Sequence, residues 1–275
     1  MLCTMASTLR GPALQNPYKG KMSSDVFGYN MTVVVVILAF VLSLLPPVSI
    51  FLWLRNRKGG DEEYRSFCNR ALVRGAVWTP LTLLAVLVPF YGMELLMTHS
   101  GVNSTAVTLY HNFIVAALAE EGVKYASLRR LLKKHPYPCS ELDVISAMMI
   151  IGIGFGLVEA VFYAFSFNPG EMIARGITAM HCGYGFIMGF FVSKSMKTER
   201  EGYTVPGILI PFLMHGAYDS GLSTVLGEIS EYFSIVSVAL ALVGIITLVV
   251  AIAYVRKAEK KAEHTEAIPA ENSRQ

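Results

Sequence analysis

The sequence predicts an all-α bundle of about seven transmembrane helices, and three observations support this fold class. Apolar residues make up 53% of the 275 residues and charged residues only 16%, whereas soluble domains carry about 25% charged residues. The apolar residues are concentrated in long segments. Basic residues fall in alternate loops between these segments, which is the pattern of a chain that crosses a membrane repeatedly.

A transmembrane helix needs about 20 mostly apolar residues. The segments that meet this condition are 31–54, 73–97, 105–128, 142–166, 172–193, 204–225 and 232–255. Pro46 and Pro47 lie inside the first segment, so a kink or a break is predicted there. The sequence is therefore divided into a polar N-terminal leader (1–30), a transmembrane helical domain (31–255) and a charged cytoplasmic tail (256–275).

The loops without basic residues determine the predicted orientation. Residues 98–104, 167–171 and 226–231 contain no lysine or arginine, whereas the loops on the opposite side are rich in both. Because positively charged loops stay on the cytoplasmic side, the N-terminus is predicted outside and the C-terminus in the cytoplasm. The chain is thus expected to be a multi-pass protein of the cell membrane.

The cysteines and the common ligand motifs exclude several other classes. Cys3, Cys68, Cys139 and Cys182 occur singly, so neither a disulfide framework nor a thiolate zinc site is predicted. Cys182 follows His181, but adjacent helical residues point about 100° apart, which disfavours a cysteine nucleophile there. Nucleotide-binding loops and HExxH motifs are absent from the sequence, and no nucleic-acid partner is expected.

Several ionisable residues lie deep inside the predicted spans, where each costs about 2.5–3.5 kcal/mol or more to insert. They occupy the third to sixth spans and are Glu120, Glu121, Lys124, Glu159, His181, His215 and Asp219. Other charged residues lie at span ends, where helix capping, ion pairing or headgroup contact explains them. These are Glu94, Glu141, Asp143, Glu171 and Arg175. Acids and imidazoles at overlapping depths on consecutive helices predict one shared site.

Helical spacing indicates how some of these residues interact. Lys124 lies one turn after Glu120 and Glu121, so it can neutralise one carboxylate while the other remains free to react. His215 and Asp219 are separated by four residues and therefore face each other on one helix. Asp219 can then orient the imidazole or share a ligand role with it.

Two hydrolytic mechanisms use these residue types. In the first, Glu120 or Glu121 is the general base for a water molecule that attacks a peptide carbonyl, and His181 and His215 stabilise the oxyanion. In the second, a divalent metal such as zinc polarises the water. Its ligands would be Glu121, Glu159, His181 and His215. Spacing does not select between the two, and the lack of a compact ligand motif slightly favours the metal-free mechanism.

Four motifs follow one another on successive spans. Residues 120–124 read EExxK, residues 155–159 read FxxxE, His181 stands alone, and residues 215–219 read HxxxD. In this order they resemble the PrsW family of intramembrane proteases, over about residues 105–225. The wider group, which includes CAAX-prenyl endopeptidases and bacteriocin-processing proteins, usually has an arginine one position later in the first motif and a histidine in place of Glu159. The chain follows the PrsW pattern at both positions.

The resemblance implies a glutamate-dependent protease of the bacterial or archaeal cytoplasmic membrane. Its substrate would be a membrane-anchored protein such as an anti-sigma factor. Two other classes also accommodate the buried charges. An ion- or proton-coupled transporter would use Glu, His and Asp in its relay, although transporters often show internal repeats and none is visible here. A non-catalytic membrane partner or immunity protein would need the same residues only for packing.

Overall fold

The computed structural model describes the backbone of residues 18–134, 140–165, 179–225 and 232–266, and every regular element in these ranges is helical. Parts of the predicted leader and tail, at residues 1–17 and 267–275, lie outside the described residues. So do residues 166–178, with Glu171, Arg175 and the beginning of the fifth predicted span.

The first half of the chain forms long helices, two of which contain a π-helical turn. Their bounds are α1 Tyr18–Asn56, α2 Glu62–Val73, a π turn Arg74–Trp78, α3 Thr79–His99, α4 Ser104–Tyr110, a π turn His111–Leu118 and α5 Ala119–Lys134. π turns are rare and frequently mark functional sites. The second π turn ends at Leu118, two residues before Glu120, so it directs attention to the beginning of α5.

The second half of the chain completes the bundle. Its elements are α6 Glu141–Phe165, α7 Met180–Thr198, a short 3-10 turn Glu201–Tyr203, α8 Thr204–Val225 and α9 Tyr232–Glu266. α6 is the central helix, and Met148, Ile150 and Ile151 on it are completely buried. It therefore positions the helices around it.

Three helical segments among the described residues are long and apolar enough to cross a membrane. They are Val33–Asn56, Glu62–His99 and Glu141–Ala164. The outer helices also expose large apolar side chains, such as Leu84 (63% exposed) and Val88 (73%). Such a surface is stable against lipid rather than water. The predicted all-α class and the presence of helices able to cross a membrane are confirmed.

α1 is continuous through Pro46 and Pro47, so the predicted break is not present. Each proline removes one backbone N–H from the helix, and transmembrane helices tolerate this loss when neighbouring groups satisfy the freed carbonyls. The helix packs against α6, which supports it along this part of its length.

A buried ion cluster attaches the loop after α1 to the beginning of α6. The Asp143 carboxylate is 0% exposed and pairs with Arg57, while Lys58 Nζ lies 2.9 Å from its second oxygen. The Ser140 N–H also donates to Asp143 at 2.9 Å, as expected at a helix N-terminus. Asp143 therefore has a structural role, as its position at a span end predicts.

Candidate active site

The first turns of α5 supply two carboxylates and an ammonium to a buried cluster. Glu121 and Lys124 are 0% and 1% exposed, whereas the Glu120 side chain is 12% exposed. Lys124 Nζ donates to Glu120 Oε2 at 3.1 Å and to Glu121 Oε1 at 2.9 Å. The lysine thus bridges both carboxylates, because its three N–H donors can serve several acceptors. The spacing alone predicts a pairing with only one of them.

His181, at the beginning of α7, connects this lysine to α6. Its Nδ1 lies 3.0 Å from Lys124 Nζ, and its Nε2 lies 2.5 Å from Glu159 Oε2. An ammonium can only donate, so Nδ1 accepts and Nε2 carries the proton that is donated to Glu159. Glu159 thereby holds the imidazole in one tautomer with Nδ1 directed at the cluster.

His215 on α8 lies between two carboxylates. Its Nδ1 is 3.0 Å from Glu121 Oε1, and its Nε2 is 3.2 Å from Asp219 Oδ2. The contact with Asp219 is the one that the four-residue spacing predicts. A charged imidazole can donate to both acids, whereas a neutral ring can donate to only one. His215 therefore links Glu121 on α5 to Asp219 on its own helix through its two ring nitrogens.

Aromatic rings form the walls of the cluster. Tyr184 on α7 stacks on His215, with ring centroids 5.3 Å apart and an interplanar angle of 23°. The Phe155 ring lies 4.0 Å from Lys124 Nζ and edge-on to His181. Sequence reasoning did not identify Tyr184. Its position three residues after His181 places it on the same helical face, and this spacing is the signal that could have found it.

The donor set of the cluster fits a divalent cation. Glu120, Glu121, His181 and His215 each place one ligand atom within 4.8 Å of the others. The second oxygen of Glu121, Oε2, is buried without a hydrogen-bond partner among the described residues. Buried carboxylates normally require such partners, and imidazole with carboxylate is a common ligand set for zinc. Glu159 is outside this group of four, because it lies on the far nitrogen of His181.

The other candidate residues lie elsewhere in the described part of the chain. Glu94 contacts His111 at 3.0 Å, near the opposite end of α3. Glu141 begins α6 and pairs with Lys197 at the exposed surface. Cys182 is 1% exposed and packs in the apolar core.

Comparison with known proteins identifies the family. Residues 68–255, more than half of the chain, match the family described as PrsW family intramembrane metalloprotease. The chain belongs to the PrsW family. A protein named Protease PrsW from Clostridioides difficile (strain 630) is 27% identical over 190 residues, which cover 66% of this chain and 77% of that protein.

Two further relatives are also named Protease PrsW. The one from Shouchella clausii (strain KSM-K16) is 28% identical over 116 residues, covering 41% of this chain and 54% of that protein. The one from Geobacillus kaustophilus (strain HTA426) is 30% identical over 111 residues, covering 39% of this chain and 49% of that protein. No solved structure matches the chain.

The PrsW assignment confirms the predicted family and the predicted protease class. The matched residues include the whole cluster from Glu120 to Asp219. The chain is thus a membrane protease with a buried Glu/His cluster. The description of the family as metalloproteases agrees with the fit of that cluster to a divalent cation.

In this PrsW protease, α6 packs closely on α7 and thereby positions His181. This close packing depends on Gly152. A Cβ atom added at Gly152 would overlap the backbone carbonyl of His181. We expect Gly152→Ala to displace this backbone, to lower stability by about 1–3 kcal/mol and to reduce cleavage by about 100-fold, because reacting groups would be misplaced. Thermal unfolding and cleavage rate of the purified protein measure both effects.

Gly122→Ala is the matched control, because a Cβ there would meet no atom within 4 Å even though Gly122 adjoins Glu121. It should fold and cleave as the wild type does. Equal activity of Gly152→Ala and Gly122→Ala would contradict the role of the α6–α7 contact.

Proposed function

We propose that this chain hydrolyses peptide bonds of membrane-anchored proteins at the cluster of Glu120, Glu121, His181 and His215. The observation that supports the proposal most directly is the convergence of these side chains, from α5, α7 and α8, within a few ångströms of one another. Buried charges in apolar surroundings are expensive and usually functional. Packing alone does not need two imidazoles, two carboxylates and a lysine in mutual contact.

We assign the role of general base to Glu120 rather than Glu121. Glu120 is the more accessible of the two carboxylates, with 12% of its side chain exposed against 0% for Glu121. A base must reach the attacking water and must later release its proton. Glu121 is in contact with both Lys124 and His215. Its role is instead to fix the positions of these two side chains.

The remaining residues act on the developing oxyanion and on each other. Lys124 can donate to the carbonyl oxygen of the substrate, since donors preorganised in a water-poor site stabilise negative charge strongly. Glu159 and Asp219 act as positioning residues, because each holds one ring nitrogen of a histidine. Both histidines thereby keep a defined orientation.

We further propose that Glu121, His181 and His215 hold a divalent cation such as zinc. The ligand types suit zinc, and a carboxylate on the outer nitrogen of each histidine is the usual arrangement around a metal-bound imidazole. When bound, such an ion polarises the water and the peptide carbonyl. The unpartnered oxygen of Glu121 is one atom that it would satisfy.

Metal content and chelation test this assignment. The purified wild type should contain about one divalent ion per chain, lose cleavage on chelation and regain it when zinc is restored. His215→Gln should lose the ion, whereas Glu94→Gln should keep it, because Glu94 contacts His111, outside the cluster. Full cleavage by a metal-free wild type would contradict the metal assignment. It would favour the mechanism in which a glutamate activates the water without a metal.

The arrangement in the membrane is also proposed. It has seven transmembrane spans between residues 31 and 255, an outside N-terminus and a cytoplasmic C-terminus, in the cell membrane. The support is the alternation of basic loops. The leader (1–30) and the tail (256–275) would flank the protease domain. α1 begins at Tyr18, inside the proposed leader.

The proposed substrate is a single-span membrane protein such as an anti-sigma factor, since a buried site acts on peptide bonds that reach the bilayer. Co-expression with tagged single-span proteins tests this proposal. The wild type should produce a shortened fragment, and Glu120→Ala and Glu121→Ala should not. Ion flux without any cleavage would favour the transporter, and binding without either activity would favour a non-catalytic partner.

A further inference from the structure

The continuous helical segment Glu62–His99, which joins α2, the first π turn and α3, is called the α2–α3 helix. A basic pocket lies between this helix and the end of α5, beyond the catalytic cluster. It has a volume of about 540 Å³ and is lined by Arg74, Trp78, Ser127, Arg130, Lys133 and Lys134. Four of these six residues are cations, and none is acidic. Ser127 is three residues and Lys134 ten residues after Lys124, so the pocket begins one turn beyond that lysine and extends about 10 Å along α5.

The walls of the pocket are held together by buried hydrogen bonds. Thr79 Oγ1 donates to the carbonyl of Arg74 at 3.1 Å and accepts from Ser127 Oγ at 3.1 Å. Both hydroxyl residues are buried, at 0% and 4% exposure. These bonds fix α3 against α5. The cations on α5 lie on one helical face, because Arg130, Lys133 and Lys134 are three and four residues apart.

Within the described part of the chain, the cations of the pocket differ from several other basic residues, which form ion pairs with acids. Arg57 and Lys58 pair with Asp143, and Lys197 pairs with Glu141. Among the described residues, no such ion pair is formed by the four pocket cations, which are Arg74, Arg130, Lys133 and Lys134. Like charges gathered in one pocket repel one another, so an anion bound between them is stabilised by all four.

The surface next to the pocket is apolar and exposed. Val77, Trp78 and Leu81, which follow Arg74 along the same helix, are 47%, 56% and 54% exposed. They belong to a segment that is long and apolar enough to cross a membrane. Tryptophan is enriched at membrane interfaces. A ligand that contacts both the basic pocket and this apolar surface has an anionic head and an apolar tail. Free phosphate has no apolar part that could contact the apolar surface.

We propose that this pocket binds the phosphate of an anionic phospholipid, whose acyl chains lie along Val77 and Leu81. Basic pockets between transmembrane helices on the cytoplasmic side are suited to such headgroups. Bound lipid would brace α3 against the end of α5, the helix that carries Glu120, Glu121 and Lys124. The proposal does not depend on the catalytic mechanism, and it is tested by binding rather than by cleavage.

Lipid retention on the full-length protein tests the pocket. Purified protein is titrated with phosphatidylglycerol, and bound lipid is counted by native mass spectrometry. Arg74→Gln with Arg130→Gln should bind about 10- to 30-fold more weakly than the wild type, since each lost cation weakens the attraction several-fold. Arg70→Gln with Arg129→Gln removes the same charge from exposed positions outside the pocket, and it should bind as the wild type does.

Equal weakening of lipid binding in both double variants would indicate diffuse electrostatic attraction and overturn the proposal. Unchanged lipid binding in both would overturn it as well, because it would show that the pocket is not a lipid site. Lys133→Gln with Lys134→Gln provides a second test at exposed positions, where folding is not at risk, and it should also bind more weakly. Excess inorganic phosphate should displace less than half of the bound lipid. Complete displacement would assign the pocket to free phosphate instead.

Discussion

Glu120→Gln is expected to lower the rate of substrate cleavage by about 1000-fold or more while the protein remains folded and keeps its divalent ion. Glutamine has nearly the same shape as glutamate but cannot accept a proton from water, and a positioned general base contributes about 10²–10⁴-fold. Glu120 Oε2 contacts Lys124 at 3.1 Å, a contact that the amide oxygen of glutamine can preserve. Single-turnover cleavage of a tagged substrate, with metal content measured on the same sample, checks this result.

Two comparisons make the result specific to Glu120. Glu121→Gln should lose cleavage and metal together, because we assign Glu121 to holding the ion. Glu94→Gln alters a glutamate that contacts a histidine outside the cluster, His111, and should retain both properties. If Glu120→Gln cleaves at more than a tenth of the wild-type rate, Glu120 is not the base. Loss of metal in Glu120→Gln would instead move it into the ligand set.

Lys124→Met is expected to abolish cleavage and to destabilise the fold. The lysine is 1% exposed, and its ammonium contacts Glu120, Glu121 and His181 at 2.9–3.1 Å. Removal of one partner from a buried ion pair costs about 3–5 kcal/mol, because the remaining charge stays buried without compensation. Methionine keeps the apolar length of the side chain. Thermal unfolding in detergent and the cleavage rate measure the two effects.

Lys197→Met is the control for loss of an ion pair at the surface. Lys197 pairs with Glu141, but its side chain is 69% exposed, and water and salt screen such pairs so that they contribute little to stability. Lys124→Met combined with Glu121→Gln should recover part of the lost stability, because the double variant also removes an uncompensated carboxylate. Wild-type stability and more than a tenth of the wild-type cleavage in Lys124→Met would contradict the role of the lysine.

The residues of the cluster could be predicted from the sequence because depth in a span is a local property. Glu120, His181 and His215 each interrupt an apolar segment, and their distances from the span ends follow from the helical rise. The contact between His215 and Asp219 was predictable for a related reason, since a four-residue separation on a helix always places two side chains together.

The partners across helices could not be predicted in the same way. Lys124 contacts both glutamates and also His181, 57 residues away in sequence, and Tyr184 stacks on His215. Such contacts depend on how each helix is rotated about its axis and how closely it approaches its neighbours. Hydrophobic periodicity does not determine these quantities when nearly all residues of a span are apolar.

Composition and helical spacing are properties of single segments. They were therefore enough to predict a helical chain, rich in membrane-compatible segments, that carries the residues of a PrsW-type site in the PrsW order. Three features depend instead on how the helices pack. Glu159 lies on the outer nitrogen of His181, Glu121 keeps one oxygen without a hydrogen-bond partner among the described residues, and cations of α5 and the α2–α3 helix share a pocket. These features arise where side chains from different helices meet, and close packing sets that geometry for the whole bundle at once.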